Sequence, residues 1–270
     1  MRDKFAGGDP DYIRTRQYGT PDKLRARAKL HLRYSTAPLR WFEWMVAEIP
    51  WQEGRVVEVG CGAGTLWDEG RPPVAGSVVL TDVSTGMVRT ARSTARAAGY
   101  AAEGGVAAAQ GLPFPDRSCA HVISNHMLYH VPEPPRAVAE LARVLGDDGL
   151  VTVATNGDGH MAALREVEHA VFGTRIAART ADAFGIANGQ AMLEAQFEQV
   201  ELRRFPDALH VTDRDDALAY MTSYPPGEDA TAEQLVELTV RLDAAFTAGG
   251  GTLVVEKDVG LFLCRGPRRA

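Results

Sequence analysis

Val56 to Gly64 reads VVEVGCGAG, a β-branched run that stops abruptly in three glycines spaced two apart. A short apolar run closed by glycine reads as a buried strand, and the glycine-rich exit as a tight turn into a helix. Such turns serve nucleotides and close packing alike, so the details decide. The dinucleotide fingerprint needs glycines at positions one, three and six, but the sixth residue counted from Gly60 is Thr65. Nor does a lysine follow in the manner of a phosphate-binding P-loop. Instead an acid, Glu58, stands two residues before the first glycine.

Outward from this loop, strands and helices alternate. Ser77 to Thr81 reads as a second strand closed by Asp82, and Ser84 to Ala98 as an alanine-rich helix ending in glycine. Val106 to Ala109, His121 to Ser124 and Leu150 to Thr155 read as the third to fifth strands, with a helix from Pro134 to Leu145. The alternation predicts an α/β fold: a mostly parallel, Rossmann-like sheet covered on both faces, with ligands beyond the carboxyl ends of its strands. A helix near His160 to Phe172, a strand from Gln199 to Phe205, helices near Asp213 to Tyr220 and Ala232 to Phe246, and a last strand from Thr252 to Cys264 follow. They predict an antiparallel edge strand and a helical lid inserted over about 206–248. Upstream, apolar residues from Pro21 to Ile49 recur at helical intervals, interrupted at Pro38. Residues 1–50 are therefore expected to form an N-terminal helical cap on a main domain of residues 51–270.

Composition narrows the function classes. Of 270 residues, 45% are hydrophobic, enough for a full core. The start of the chain lacks the apolar segment of a secretory signal and no stretch is long enough for a membrane span, so a cytoplasmic protein is expected. Cys61, Cys119 and Cys264 are odd in number and widely spaced, which suits reduced thiols and neither a metal knuckle nor a disulfide framework. A net charge of −6 disfavours a nucleic-acid partner. That charge is uneven: residues 1–50 carry +4 and the remainder −10. A basic leader precedes an acidic body, read either as a solvated helical face or as an anion-attracting cap.

The pattern Glu58-x-Gly60-x-Gly62-x-Gly64 resembles motif I of the class I S-adenosylmethionine-dependent methyltransferases. That cofactor carries an ammonium and a sulfonium but no phosphate, so a carboxylate at the strand end suits it. The resemblance runs strongly from Arg55 to Asn156. It includes the run from Ala107 to Val131, AAAQGLPFPDRSCAHVISNHMLYHV, similar to the family's adenine loop and fourth strand. It implies binding of S-adenosyl-L-methionine, with S-adenosyl-L-homocysteine as product, by Glu58, Gly60, Cys61, Gly62 and Gly64 in the loop. Asp82 is implied on the ribose hydroxyls, Val83, Ser84 and Met87 near the adenosine, and Asn125 after the fourth strand. Where many relatives place an aspartate for the adenine amine, this chain has Ala108, which leaves adenine to Ala109, Gln110 and Gly111. The leader resembles that of small-molecule methyltransferases and implies that Tyr18 covers the cofactor.

Methyl transfer is an in-line displacement for which the protein aligns the nucleophile and excludes water. A hydroxyl or carbon acid needs a proton acceptor, and His126, just beyond the fourth strand, is the catalytic candidate. Arg27, His31, Arg33 and Tyr34 in the leader, together with Tyr129, Asn156 and His160, are candidates for the acceptor pocket; Arg27 and Arg33 would grip an anionic acceptor. No metal is expected, since His121, His126 and His130 lack a recognised ligand spacing. The expected partner is a small-molecule methyl acceptor, methylated on oxygen, nitrogen or carbon; the scarcity of lysine beside abundant Arg, Ala and Gly resembles proteins from GC-rich bacterial genomes, and that resemblance implies a specialised-metabolite tailoring role. Two alternatives stand beside it: a cofactor-binding regulatory or scaffold protein without turnover, and an RNA or protein methyltransferase.

Overall fold

The computed structural model describes residues 9–17, 22–173 and 176–269. A seven-stranded sheet with the order β3-β2-β1-β4-β5-β9-β6 organises the chain. Its members are β1 (Val56–Val59), β2 (Val78–Asp82), β3 (Ala102–Val106), β4 (Cys119–Asn125), β5 (Leu145–Asn156), β6 (Phe197–Arg204) and β9 (Val259–Pro267). The first five pair in parallel, and β9 runs antiparallel to both β5 and β6. The reversed strand therefore lies one place in from the edge, and β6 covers its outer side. The alternating, mostly parallel α/β sheet expected from the sequence is the observed fold.

All four β1 residues are buried, as a central parallel strand requires. Val57 and Val59 point to the core formed with α5 (Pro134–Val144), Phe184 at the end of α7 (Ile176–Phe184) and α8 (Ile186–Glu194). Val56 faces the opposite core, which includes α3 (Trp41–Glu48), Trp67 and α4 (Thr85–Ala97). Helix α4 buries Met87, Val88, Ala91 and Ala95, a stripe at helical spacing, and the Ser84 side chain caps it by accepting from the Met87 N–H at 3.3 Å.

Three features depart from the sequence reading. The third strand spans 102–106 rather than 106–109. A Cβ at Gly104 would stand 2.8 Å from the Leu80 carbonyl oxygen and 3.0 Å from the Arg92 side chain, so the glycine permits close approach within a strand. The last strand is two, β8 (Leu253–Glu256) and β9, broken at Lys257 and Asp258. Finally, the insertion between β6 and β9 is not only helical: besides α9 (Arg214–Met221) and α10 (Ala232–Ala248) it contains a ribbon of β7 (Ala208–Val211) with β8.

The leader leans on this insertion. Pro10–Tyr12 (α1) and Ile13–Gln17 form a short helical turn, followed by α2 (Asp22–Tyr34). Asp216 of α9 accepts from Lys29 Nζ at 2.7 Å, Arg33 Nη1 at 2.6 Å and the Tyr34 hydroxyl at 3.0 Å. Glu228 accepts from Gln17 Nε2 at 2.9 Å, and from the Tyr12 hydroxyl and Lys23 Nζ. A third core, including Leu30, Tyr34, Leu209, Met221, Leu242 and Val255, fills the space between leader and insertion, joined by α6 (Ala162–Phe172). Among the described residues no helix is long and apolar enough to cross a membrane.

Candidate functional site

Beyond the carboxyl ends of β1, β2, β4 and β5 lies a cavity of about 430 Å³, roofed by the leader and the insertion. At its floor the chain leaves β1 through a loop tied to the next strand: the Gly60 and Cys61 N–H groups donate to the Thr81 carbonyl at 2.8 and 2.9 Å. Gly60 and Gly64 stand at φ 72° and 79°, a left-handed conformation that costs any other residue. Gly60 lines the cavity, whereas Gly64 does not: a Cβ there would lie 2.8 Å from Ala91 Cα, so this glycine seats the loop on α4.

Two carboxylates brace the loop. Asp82 Oδ2 accepts from the Gly62 N–H at 3.1 Å and Oδ1 from the Ser84 N–H at 2.8 Å. Burial raises its pKa against the pull of these backbone donors. Glu58, 3% exposed, accepts from Trp67 Nε1 at 2.6 Å. Desolvation pushes its pKa up to about 8, with the Trp67 bond opposing and Asp82 assisting. Among the described residues no cation pairs with this carboxyl, and an ammonium brought beside it would favour its charged form.

Most candidates share this cavity: Glu58, Gly60, Cys61, Gly62, Asp82, Val83, Ala109, Asn125, His126, Tyr129, Asn156, His160, Arg27 and His31 all line it. Others do not. Met87 is fully buried in the sheet core, and Gln110 and Gly111 lie off the wall, where Ala107 and Ala109 stand instead. Arg33 and Tyr34 are absent from the lining because both are committed to Asp216, so the expected grip of Arg33 on an acceptor is replaced by an ion pair. Tyr18 lies outside the described residues.

His126, the expected base, lines the cavity in a setting that disfavours its charged form. It stands at φ 54°, donates its N–H to the Ala154 carbonyl at 3.0 Å, and packs its ring 5.2 Å from that of Trp41. Burial, then the charge of Lys257, then His130 push its pKa down to about 3. It is neutral at physiological pH and a weak proton acceptor, which fits packing and positioning better than proton removal.

Several wall residues escaped the sequence reading. Trp41, Tyr220 and Tyr224 supply aromatic surface, and a buried ion pair joins Lys257 Nζ to Asp207 Oδ2 at 2.7 Å. The pair brings the corner between β8 and β9 against the segment between β6 and β7, an encounter no local pattern announces.

Comparison with known proteins agrees with this geometry. The sequence profile of the family described as methyltransferase domain matches residues 57–153, from β1 to β5. Residues 57–153 thus match a methyltransferase domain, and the sheet that carries them has the class I methyltransferase fold. The demethylmenaquinone methyltransferase of Symbiobacterium thermophilum is 30% identical over 115 residues, which are 41% of this chain; the match spans only about half, 46%, of that relative's length. Among solved structures, a Bacillus halodurans protein described as a methyltransferase superposes with a TM-score of 0.58 at 19% identity, covering 84% of this chain and 97% of its own. The phosphoethanolamine N-methyltransferase 2 of Haemonchus contortus, in complex with S-adenosyl-L-methionine, superposes with a TM-score of 0.57 at 14% identity, over 96% of this chain and 60% of its own. At such identities these likenesses speak for the class I methyltransferase fold.

Proposed function

We propose that this protein transfers a methyl group from S-adenosyl-L-methionine to oxygen, nitrogen or carbon of a small metabolite and releases S-adenosyl-L-homocysteine, in a tailoring role. One observation supports this most: the cavity floor joins a close-approach glycine loop to two buried carboxylates, Glu58 and Asp82, and among the described residues no cation pairs with Glu58. That donor set fits a cofactor with an ammonium and two ribose hydroxyls. In this reading Asp82 receives the ribose hydroxyls on lone pairs left by the backbone donors, since a carboxylate has about four acceptor sites. Glu58 balances the ammonium, the backbone near Ala109 meets the adenine, and Asn125, whose buried Oδ1 has no partner, faces the cofactor.

When bound, the cofactor supplies a methyl group on a sulfonium that a nucleophile displaces in line. The chain's part is positioning and water exclusion: Trp41, Tyr129, His31, His160 and Asn156 shape the acceptor space. Residues 1–50 act as cap and 206–248 as lid, locked through Asp216 and Glu228. Incubation with methyl-labelled S-adenosylmethionine and a small-metabolite extract tests the reading. Label in a small organic product, matched by S-adenosylhomocysteine, is expected. Cofactor binding without such turnover favours the regulatory or scaffold reading.

A further inference from the structure

Charge in the cavity is divided. Glu58 and Asp82 lie at the glycine loop and Glu69 has Arg40 as its partner, whereas Arg27 of α2, Arg165 of α6 and Lys257 line the cavity with Asp207. Asp207 is fully engaged: Oδ2 takes Lys257, and Oδ1 accepts from Ser35 Oγ at 2.8 Å and from the N–H groups of Thr36 and Ala37 at 3.1 Å. The Lys257 side chain is 7% exposed and that of Asp207 0%. An ammonium has three donors, and Asp207 is its only hydrogen-bond partner among the described residues. Its Nζ also stands over the Phe205 ring, 4.9 Å from the centroid.

Buried donors without partners are costly, and those lining a cavity indicate what completes it. Around Lys257 stand His31, His126 and His160, with Arg165 beside His160 and Tyr220 against His31. Among the described residues Nδ1 of His31, Nδ1 of His160 and the acceptor Oδ1 of Asn156 are buried without hydrogen-bond partners, so a hydroxyl-bearing planar ligand finds polar atoms around it as well as the ammonium. The two imidazoles stack at 6.3 Å with an interplanar angle of 21°, and Trp41, Phe42 and Tyr224 extend the flat wall. Burial and the Lys257 charge keep the imidazoles neutral. Asp207 balances the Lys257 charge and Arg165 adds a further cation beside His160, so a cationic amine placed against Lys257 Nζ meets a like charge and an anionic oxygen an opposite one.

We propose that Lys257, held by Asp207, forms an oxyanion subsite that selects a planar acceptor whose reacting group is an acidic hydroxyl, a phenol or enol, and binds it as the anion. The inference rests on the methyltransferase reading. Ionisation sends the hydroxyl proton to water, so no protein base is needed. The oxygen lone pair then forms the C–O bond while the C–S electron pair returns to sulfur, leaving ether and thioether neutral and the ammonium unchanged.

4-Nitrophenol, whose anion is coloured, reports the ionisation of a bound hydroxyl directly, and the protein is titrated with it in the presence of S-adenosylhomocysteine. The bound phenol should ionise at least about one pH unit below the free one, equivalent to about tenfold tighter binding of the anion. Lys257→Met should abolish that shift and Lys257→Arg retain much of it. Should Lys257→Met fail to fold, the pair Asp207→Asn/Lys257→Gln keeps a hydrogen bond without charge and should also lose the shift. An unshifted probe in the wild type, a full shift in the charge-free variants, or tighter binding of benzylammonium overturns the proposal. So does binding of benzoate without ionisation of bound 4-nitrophenol, since the subsite then serves carboxylates. Calorimetry with S-adenosylhomocysteine separates the two claims: failure of that binding removes the methyltransferase reading, whereas intact binding with an unshifted phenol removes only this proposal.

Discussion

Glu58 is a carboxyl placed where it prefers to keep its proton. Between its ordinary pKa of 4.5 and the folded value of about 8 the folded chain binds the extra proton, so stability from this group is full below 4.5 and is lost as pH rises through 8. Glu58→Gln, which mimics the protonated form, should therefore flatten the decline of melting temperature between those limits. A decline as steep as in the wild type would place the proton elsewhere. The same linkage predicts that S-adenosylmethionine binding at neutral pH releases a proton, visible as a binding heat that varies with the ionisation enthalpy of the buffer. His126 carries the opposite lesson. Its position after β4 was legible in the sequence, but its burial against Trp41 and the charge of Lys257 come from distant parts of the chain. His126→Phe keeps a ring beside Trp41 and should lower the methylation rate by less than about tenfold, with the pH profile between 6 and 8 unchanged. A loss of about a hundredfold, the usual size for a general base, would restore the proton-transfer role.

At the scale of elements, what was legible follows from local rules. The strand–glycine–helix unit at Val56 to Gly64 and the capped helix after Asp82 are set by short-range periodicity and capping, and they fall where the sequence reading puts them. The β7–β8 ribbon was not legible, because each strand has four residues and finds its partner only across α9 and α10. The ion pair of Arg33 was not legible for a related reason: its spacing announces a helix surface but cannot announce that Asp216 faces it. Helix α2 and the insertion are thus joined by charge. The hydrogen bond from Lys29, with those of Tyr34 and Arg33, holds the Asp216 pKa below its ordinary 3.8. A depressed carboxylate contributes stability above 3.8 that disappears as pH falls through the folded value. Asp216→Asn should increase amide exchange in α2 and the rate of proteolysis in the leader at neutral pH, while the sheet stays protected. Unchanged exchange in α2 would show that the apolar contacts of Leu30 and Tyr34 hold the leader alone.

Across the whole molecule the uneven charge finds an internal use. The basic leader meets acids of the insertion, Lys23 with Glu228 and Lys29 and Arg33 with Asp216, so much of its excess is matched within the chain. Beneath this joint the cavity runs from an acidic floor to a basic end, an arrangement that places a cationic donor and an electron-rich acceptor in a fixed order. The floor is the part on which everything else depends, and its most direct test is calorimetric titration of S-adenosylmethionine into the wild type and Asp82→Asn, each confirmed as folded by circular dichroism. The wild type should bind the cofactor and not NAD. Asp82→Asn should bind at least about tenfold more weakly, as expected for loss of charge-assisted hydrogen bonds worth about 1.5–3 kcal/mol. Equal affinity in the two proteins, or a wild type that binds NAD in place of S-adenosylmethionine, would contradict the assignment of this cavity.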